Sequence, residues 1–353
     1  MLPAGISSKI KKICIQKNIP FHCLLELTYR CNLSCKHCYA PKDSHDELSL
    51  DEIDQILEQL SKIGTLHLVL TGGEILMRDD FFEITSLAKS KGFLIGLMTN
   101  GTLITPDIAD RIANIKPIGV EISLYGACEE THDYVTTVDG SFKKVTNAIS
   151  YLVERGIRVT TKTVLMKCNA MEHKGIEELS RSLGATPKIN VGIIPCKDGS
   201  FHPLKYDLSF EDIMKYSLEE KLMIESPRSY KDPKDVLMCK AGKAVCSISP
   251  KGDVSPCLLI PVKLGNLREQ RFEEIWYQKG NEILERLRDI SAYDNSGCSG
   301  CQILGLCYRC PGVAYVETGD MFGKSMTACR YAEWRAKLLE QNEEQIANEQ
   351  TEG

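Results

Sequence analysis

The sequence predicts an α/β protein, a parallel sheet covered by helices and followed by a small cysteine-rich domain. Three observations carry this. Six short apolar runs alternate with amphipathic helical stretches between Phe21 and Pro195, the pattern of β-α units around a buried parallel sheet. The texture then changes, and residues 239–329 are rich in Cys, Gly and Pro with few long apolar runs. Finally, 16 of the 353 residues are cysteine, whereas disulfide scaffolds are usually short secreted chains.

The expected strands are 21–29, 67–71, 93–99, 118–125, 158–166 and 188–195, with helices near 50–63, 79–91, 105–114, 141–155 and 171–184. The helix at 50 starts well: Ser49 offers an N-cap, and Asp51 and Glu52 sit at the positive end of the dipole. A further helix is expected at 209–222. The domains then read as an extension at 1–20, the α/β domain at 21–224, a polar linker at 225–238, the cysteine-rich domain at 239–332, and a charged tail at 333–353 that forms a surface helix. Periodicity leaves open whether the sheet is doubly wound or curls into a full or partial barrel.

Composition narrows the function. Lys and Arg number 43 against 48 Asp and Glu, a net charge of −5, which lacks the broad basic field of a nucleic-acid binder. Hydrophobic residues at 43% and charged residues at 26% exclude wholesale disorder. No apolar run reaches the length of a membrane span, and residues 1–20 hold no signal-peptide core. The expectation is a cytoplasmic protein in which clustered thiols serve metal or redox chemistry.

The first thiol group is Cys31-Asn-Leu-Ser-Cys35-Lys-His-Cys38, directly after the first strand. Three thiolates on one loop can converge on a four-iron four-sulfur cluster and leave one iron open for a ligand. A zinc site completed by His37 is the alternative, but that ring sits between Lys36 and Cys38 and cannot readily face the same metal as both neighbours. Polar segments follow at the ends of later strands: Thr71-Gly72-Gly73-Glu74, Thr99-Asn100-Gly101 and Ser123-Leu124-Tyr125-Gly126, then His132-Asp133-Tyr134 and Gly140-Ser141-Phe142. Singly, each reads as a turn or a cap.

In this order they resemble the radical S-adenosylmethionine (SAM) superfamily, whose CxxxCxxC loop follows the first strand of a partial (β/α)6 barrel. The resemblance implies that fold. It also implies that Cys31, Cys35 and Cys38 hold a 4Fe-4S cluster, and that Gly72, Gly73, Glu74, Asn100 and Ser123 contact SAM. Ile75 stands where the family usually has Pro.

The second group is Cys239, Cys246, Cys257 five residues after Gly252, Cys298-x2-Cys301-x5-Cys307-x2-Cys310, and Cys329. Eight thiols suffice for two further 4Fe-4S clusters; two structural zinc sites are the alternative. Gly252-Asp253 suits a turn that could bring Cys246 and Cys257 together on a hairpin. This region resembles the SPASM extension of peptide-modifying radical SAM enzymes, including its Leu264-Gly265-Asn266 and Glu274-Ile275-Trp276 segments. The resemblance implies three 4Fe-4S clusters in all. Cys239, Cys246, Cys257 and Cys310 would hold the nearer auxiliary cluster, and Cys298, Cys301, Cys307 and Cys329 the farther. Two residues, not the usual three, separate Cys307 from Cys310, which puts the assignment of that pair in question.

Of the remaining thiols, Cys23 reads as a buried hydrophobe, and Cys128 and Cys196 as rim positions past strand ends. Glu26 and Lys162 lie within strands and face either the barrel interior or each other's side of a buried pair. The resemblance implies reductive cleavage of SAM to a 5′-deoxyadenosyl radical that abstracts hydrogen from a substrate. That substrate is expected to be a ribosomally made peptide, presented by a separate small leader-binding protein, with a flavodoxin- or ferredoxin-type reductant. Leu258, where sulfatase activators of the family carry an acid, argues against that activity. The alternatives are a radical SAM enzyme of small-molecule cofactor or haem biosynthesis, and a non-enzymatic iron-sulfur or zinc protein.

Overall fold

The structure, a computed structural model, describes residues 4–41, 46–223, 239–289 and 298–351; the expected linker at 225–238 lies outside them. Helix α1 (Ala4–Gln16) precedes β1 (His22–Thr28), and the β-α alternation then runs α2 (Leu50–Lys62), β2 (His67–Gly72), α3 (Phe81–Ser90), β3 (Leu94–Thr99), α4 (Pro106–Ile115), β4 (Gly119–Ser123), α5 (Glu129–Thr136), α6 (Ser141–Glu154), β5 (Val159–Leu165), α7 (His173–Ser182) and β6 (Thr186–Val191). Helices α8 (Phe210–Lys215) and α9 (Glu219–Met223) follow. They replace the single helix expected at 209–222, because Ser217 adopts a left-handed φ of 53° and breaks it.

The six strands are parallel and lie in sequence order, β6-β5-β4-β3-β2-β1. A doubly wound sheet would reverse its order at a switch point. A consecutive order with right-handed crossovers keeps every helix on one face, so the sheet takes barrel-like winding, as the resemblance implies. Alternation does the rest. Leu25, Leu68, Leu70, Ile95, Leu97, Val120 and Ile122 pack with Ile53, Leu57, Ile84, Ile112, Val145 and Ile149 from the helices in one core. The intervening residues, among them Glu26, Thr71, Glu121 and Lys162, therefore face the other side of the sheet, the lumen. The expected cap at α2 is present as a full box, with Ser49 accepting from the Glu52 amide and Glu52 from the Ser49 amide.

The cysteine-rich region is not a separate body. Strand β7 (Val245–Ile248) pairs in parallel with β1, and β8 (Asp253–Ser255) and β9 (Gly265–Asn266) extend the same sheet antiparallel to nine strands. Helices α10 (Phe272–Trp276), α11 (Glu282–Arg288) and α12 (Pro311–Thr318) follow, then α13 (Met326–Thr351). This last helix runs through the boundary expected at 332. Its Tyr331, Trp334 and Leu338 are buried against Leu165, Leu208, Ile213, Leu218 and Leu222. The C-terminal region thus grips the barrel at β1 and again beside β5.

Two motifs prove structural. Asp133 on α5, a helix the apolar pattern did not predict, accepts from the Ser141 hydroxyl at 2.6 Å, the Phe142 amide at 2.8 Å and the Gly140 amide. It therefore caps the start of α6.

Candidate active site

Cys31, Cys35 and Cys38 share the loop after β1, at the C-terminal end of the sheet. Burial, with the nearby charges of Cys38 and Cys31, pushes the Cys35 thiol up to about 12. Cys31 is also raised, by burial and more weakly by Glu74 and Cys38. Crowded thiols resist ionising on their own, and a metal core supplies the missing positive charge. The donor set therefore fits an iron-sulfur cluster. Among the described residues no three His, Cys, Asp or Glu side chains are gathered as a single-ion site; the thiols interact at wider spacing. The His37 ring makes an edge contact with Tyr125, 4.6 Å between centroids. Burial lowers its pKa to about 4.

The loop is held by a polar chain from neighbouring strand ends. The Glu74 carboxylate is fully buried and accepts from the Thr99 hydroxyl at 2.7 Å, the Asn100 amide at 2.7 Å and the Leu76 amide at 3.1 Å. Burial raises its pKa, and these three donors oppose the rise. Asn100 in turn donates to Asn32 Oδ1 at 2.9 Å and reaches Cys31 Sγ at 3.7 Å. Asn32 donates to Thr102 at 2.8 Å.

Glu74 thus joins the ends of β2 and β3, and Asn100 carries that order to the cluster loop. The glycines before Glu74 permit a close approach of protein to protein: a Cβ on Gly73 would stand 2.2 Å from Arg30 O, and one on Gly72 2.3 Å from Thr28 O. Ser123, also expected at the site, contacts the buried Tyr125 phenol, whose pKa burial and then Cys35 raise.

Sequence reading singled out Glu26 and Lys162 but missed Lys197, Tyr39 and Lys188. Lys197, past β6, donates to both oxygens of Glu26 at 2.9 and 3.0 Å. Tyr39 is half-buried, and burial of its hydroxyl followed by the charges of Glu26, Cys38 and Cys257 raises its pKa. Its ring therefore links the cluster loop to the cysteine-rich domain. Lys162 and Lys188 are direct cross-strand partners on the lumen face, with Glu121 3.4 Å from Lys162. No motif names these residues, because their partners are remote in sequence. Glu26 and Lys162 therefore pair elsewhere than with each other.

The structure brings the downstream thiols into two groups. Cys257, pushed up to about 11 chiefly by burial, also feels Cys239 and Cys310, and Cys239 feels Cys310. Cys307, likewise at about 11 chiefly through burial, feels Cys329, Cys298 and Cys301. Cys246 stands apart: it is fully buried in the barrel core, and its foremost thiol neighbour is Cys23, with Cys257 the weakest influence. Cys128 lies 3.6 Å from Glu172, and Cys196 donates to Cys38 O at 3.5 Å. Among the described residues no helix is long and apolar enough to cross a membrane.

Comparison with known proteins agrees with this arrangement. Residues 25–176 match the model of the radical SAM superfamily, and residues 239–302 that of the SPASM iron-sulfur cluster-binding domain. The chain is 30% identical over 332 residues to an AdoMet-dependent heme synthase of Methanosarcina barkeri, covering 86% of this chain and 94% of that protein. It is 28% identical over 308 residues to the antilisterial bacteriocin subtilosin biosynthesis protein AlbA of Bacillus subtilis, covering 82% and 68%. The fold is similar to that of Streptococcus suis SuiB bound to its precursor peptide SuiA, with a TM-score of 0.69, 16% identity and coverage of 91% and 78%.

Proposed function

The chain belongs to the radical SAM superfamily and carries a SPASM domain, and on that premise we propose that it oxidatively modifies a ribosomally made peptide. Bound at Cys31, Cys35 and Cys38, a 4Fe-4S cluster with SAM on its open iron would supply the electron and the hydrogen-abstracting 5′-deoxyadenosyl radical. The residues around it do the positioning. Asn100 and Asn32 hold the loop, and Gly72, Gly73 and Ser123 line the strand ends where SAM would lie. Tyr39 and the Glu26–Lys197 pair close the dry side toward the auxiliary domain. Cys298, Cys301, Cys307 and Cys329 would hold the farther auxiliary cluster. A flavodoxin or ferredoxin would deliver the electron, and a small leader-binding protein would present the peptide.

The observation that carries the peptide reading is the edge of the barrel. β6 is the terminal strand of the sheet, with Thr186, Lys188 and Asn190 exposed. A cavity of about 230 Å³ runs beside it to Cys310. An extended peptide can add to such an edge through its main chain. The bacteriocin-pathway relative and the peptide-bound SuiB support the same reading. The test is anaerobic incubation of reconstituted protein, SAM and dithionite with peptide extracts of the native cells. Deoxyadenosine above the basal rate, with a peptide lighter by two hydrogens, is expected; no peptide-dependent deoxyadenosine would overturn the reading.

A second reading, a carboxylate-bearing small molecule as in haem biosynthesis, is favoured by one observation. Lys162 and Lys188 stand directly opposite each other on the lumen face, and Glu121, 3.4 Å from Lys162, offsets one of the two charges, so a bound carboxylate would complete the pairing. The heme synthase relative matches over nearly its full length. Deoxyadenosine and carbon dioxide formed with a porphyrin carboxylate, and none with peptide, would select it.

A further inference from the structure

From the contacts of the turn after β6 we infer that Cys196 and Lys197 are positioning residues for SAM cleavage: they pin the cluster loop at Cys38, and SAM binding at that cluster depends on the pin. The inference rests on the reading of Cys31, Cys35 and Cys38 as cluster ligands and deepens it.

The stretch from Cys31 to Cys38 forms neither helix nor strand, so its thiols are placed by what touches it. Each has a different support. The Asn100 side chain, from the end of β3, reaches the Cys31 sulfur at 3.7 Å. On either side of Cys35, the Ser34 and Lys36 amides donate to the Thr136 and Val135 carbonyls at the end of α5, at 3.2 and 3.0 Å. At Cys38 the support comes from beyond β6. The Cys196 thiol donates to Cys38 O at 3.5 Å, and the Lys197 amide donates to Tyr39 O at 3.1 Å. Two successive donors meet two successive carbonyls.

The turn that carries these donors is itself closed. The Cys196 amide donates to Ser200 O at 2.9 Å and the Gly199 amide to Cys196 O at 3.0 Å, while the Ser200 amide donates to Asp198 Oδ1 at 2.8 Å. Gly199 takes the left-handed φ of 86° that this path needs. The Lys197 side chain then ties the turn to Glu26 on β1, the strand from which the cluster loop leaves. Cys196 is only 4% exposed, and His202 Nδ1 stands 3.6 Å from its sulfur. The thiol is therefore an interior contact, not a reactive group on the rim. Contacts just behind a metal ligand orient it. Removing the donor at 196 would release the Cys38 carbonyl while the supports at Cys31 and Cys35 stay.

The test separates the donor from the volume. Cys196→Val keeps the size of the side chain and removes the donor, whereas Cys196→Ser keeps a donor. After anaerobic reconstitution, SAM is titrated against the paramagnetic resonance spectrum of the reduced protein. Cys196→Val is expected to bind SAM about fivefold more weakly than wild type, the share of one net hydrogen bond, and Cys196→Ser to recover most of that loss. Wild-type affinity in Cys196→Val, or equal weakness in Cys196→Ser, would overturn the assignment. Should Cys196→Val not fold, the unaltered turn decides. Coupling is reciprocal, so hydrogen exchange in peptides spanning 196–200 should be slower in the reconstituted wild type than in Cys31→Ala/Cys35→Ala/Cys38→Ala, and equal rates would refute the pin. That triple variant should also hold about four fewer irons than wild type; an undiminished iron content would overturn the cluster reading instead.

Discussion

Lys197 donates to both carboxylate oxygens of Glu26, at 2.9 and 3.0 Å. Lys197 follows the last barrel strand and Glu26 lies on the first, so the pair ties the two ends of the six-strand run together. Its side chains are only 12% and 6% exposed. Burial raises the Glu26 pKa, and Lys197 offsets part of that rise.

Breaking such a pair leaves one charge stranded. Lys197→Met is expected to cost about 3 kcal/mol or more, because Glu26 stays buried without its cation. The Glu26→Leu/Lys197→Met double variant should recover most of the loss. Anaerobic thermal unfolding would show this as a drop of at least about 5 °C for the single variant and a smaller one for the double.

Acid should loosen the fold between pH 6.5 and about 4. Burial lowers the His132 pKa to about 4, with Asp133 opposing, so across that window the unfolded chain binds a proton that the folded chain resists. Stability is therefore present above 6.5 and falls as pH drops toward 4, by up to about 3 kcal/mol from this group. His37 titrates over the same range. His132→Asn should remove part of the pH dependence in denaturation curves, and an unchanged slope would contradict the assignment.

Gly73→Ala tests the close approach at the cluster loop. The added carbon would meet Arg30 O at 2.2 Å, and backbone cannot swing aside as a side chain can. Overpacking of this kind costs about 1–3 kcal/mol. The expected result is a folded protein with impaired SAM cleavage, measured as deoxyadenosine formed per cluster.

Asn100→Leu removes the amide group that lies 3.7 Å from Cys31 Sγ and holds Asn32. Hydrogen bonds to cluster sulfurs help set the reduction potential. The variant is expected to lower the potential of the first cluster and leave the auxiliary ones unmoved, as followed by a redox titration monitored by paramagnetic resonance.

Much of the site was legible because its signals are local. The Cys31, Cys35 and Cys38 spacing lies within one loop, and the capping box at Ser49 within one turn. Glu74 was placed correctly at the end of β2, yet its bonds to Thr99 and Asn100 required knowledge of which strand lay beside it. Helix α5 was hidden because the eight residues Glu129–Thr136 show little apolar periodicity. Its existence rests on what it packs against.

The order of strands and helices and the two thiol groups with their spacings were determined by the sequence alone, through periods of two and about four residues and through local loop reach. Only the tertiary structure decided that β7 would join β1, that α13 would return to the barrel, and that Lys197 would find Glu26. The same holds for Cys246. Whether a strand residue faces a metal or a core depends on its register against a neighbour, and for Cys246 that neighbour, Cys23, lies at the other end of the chain.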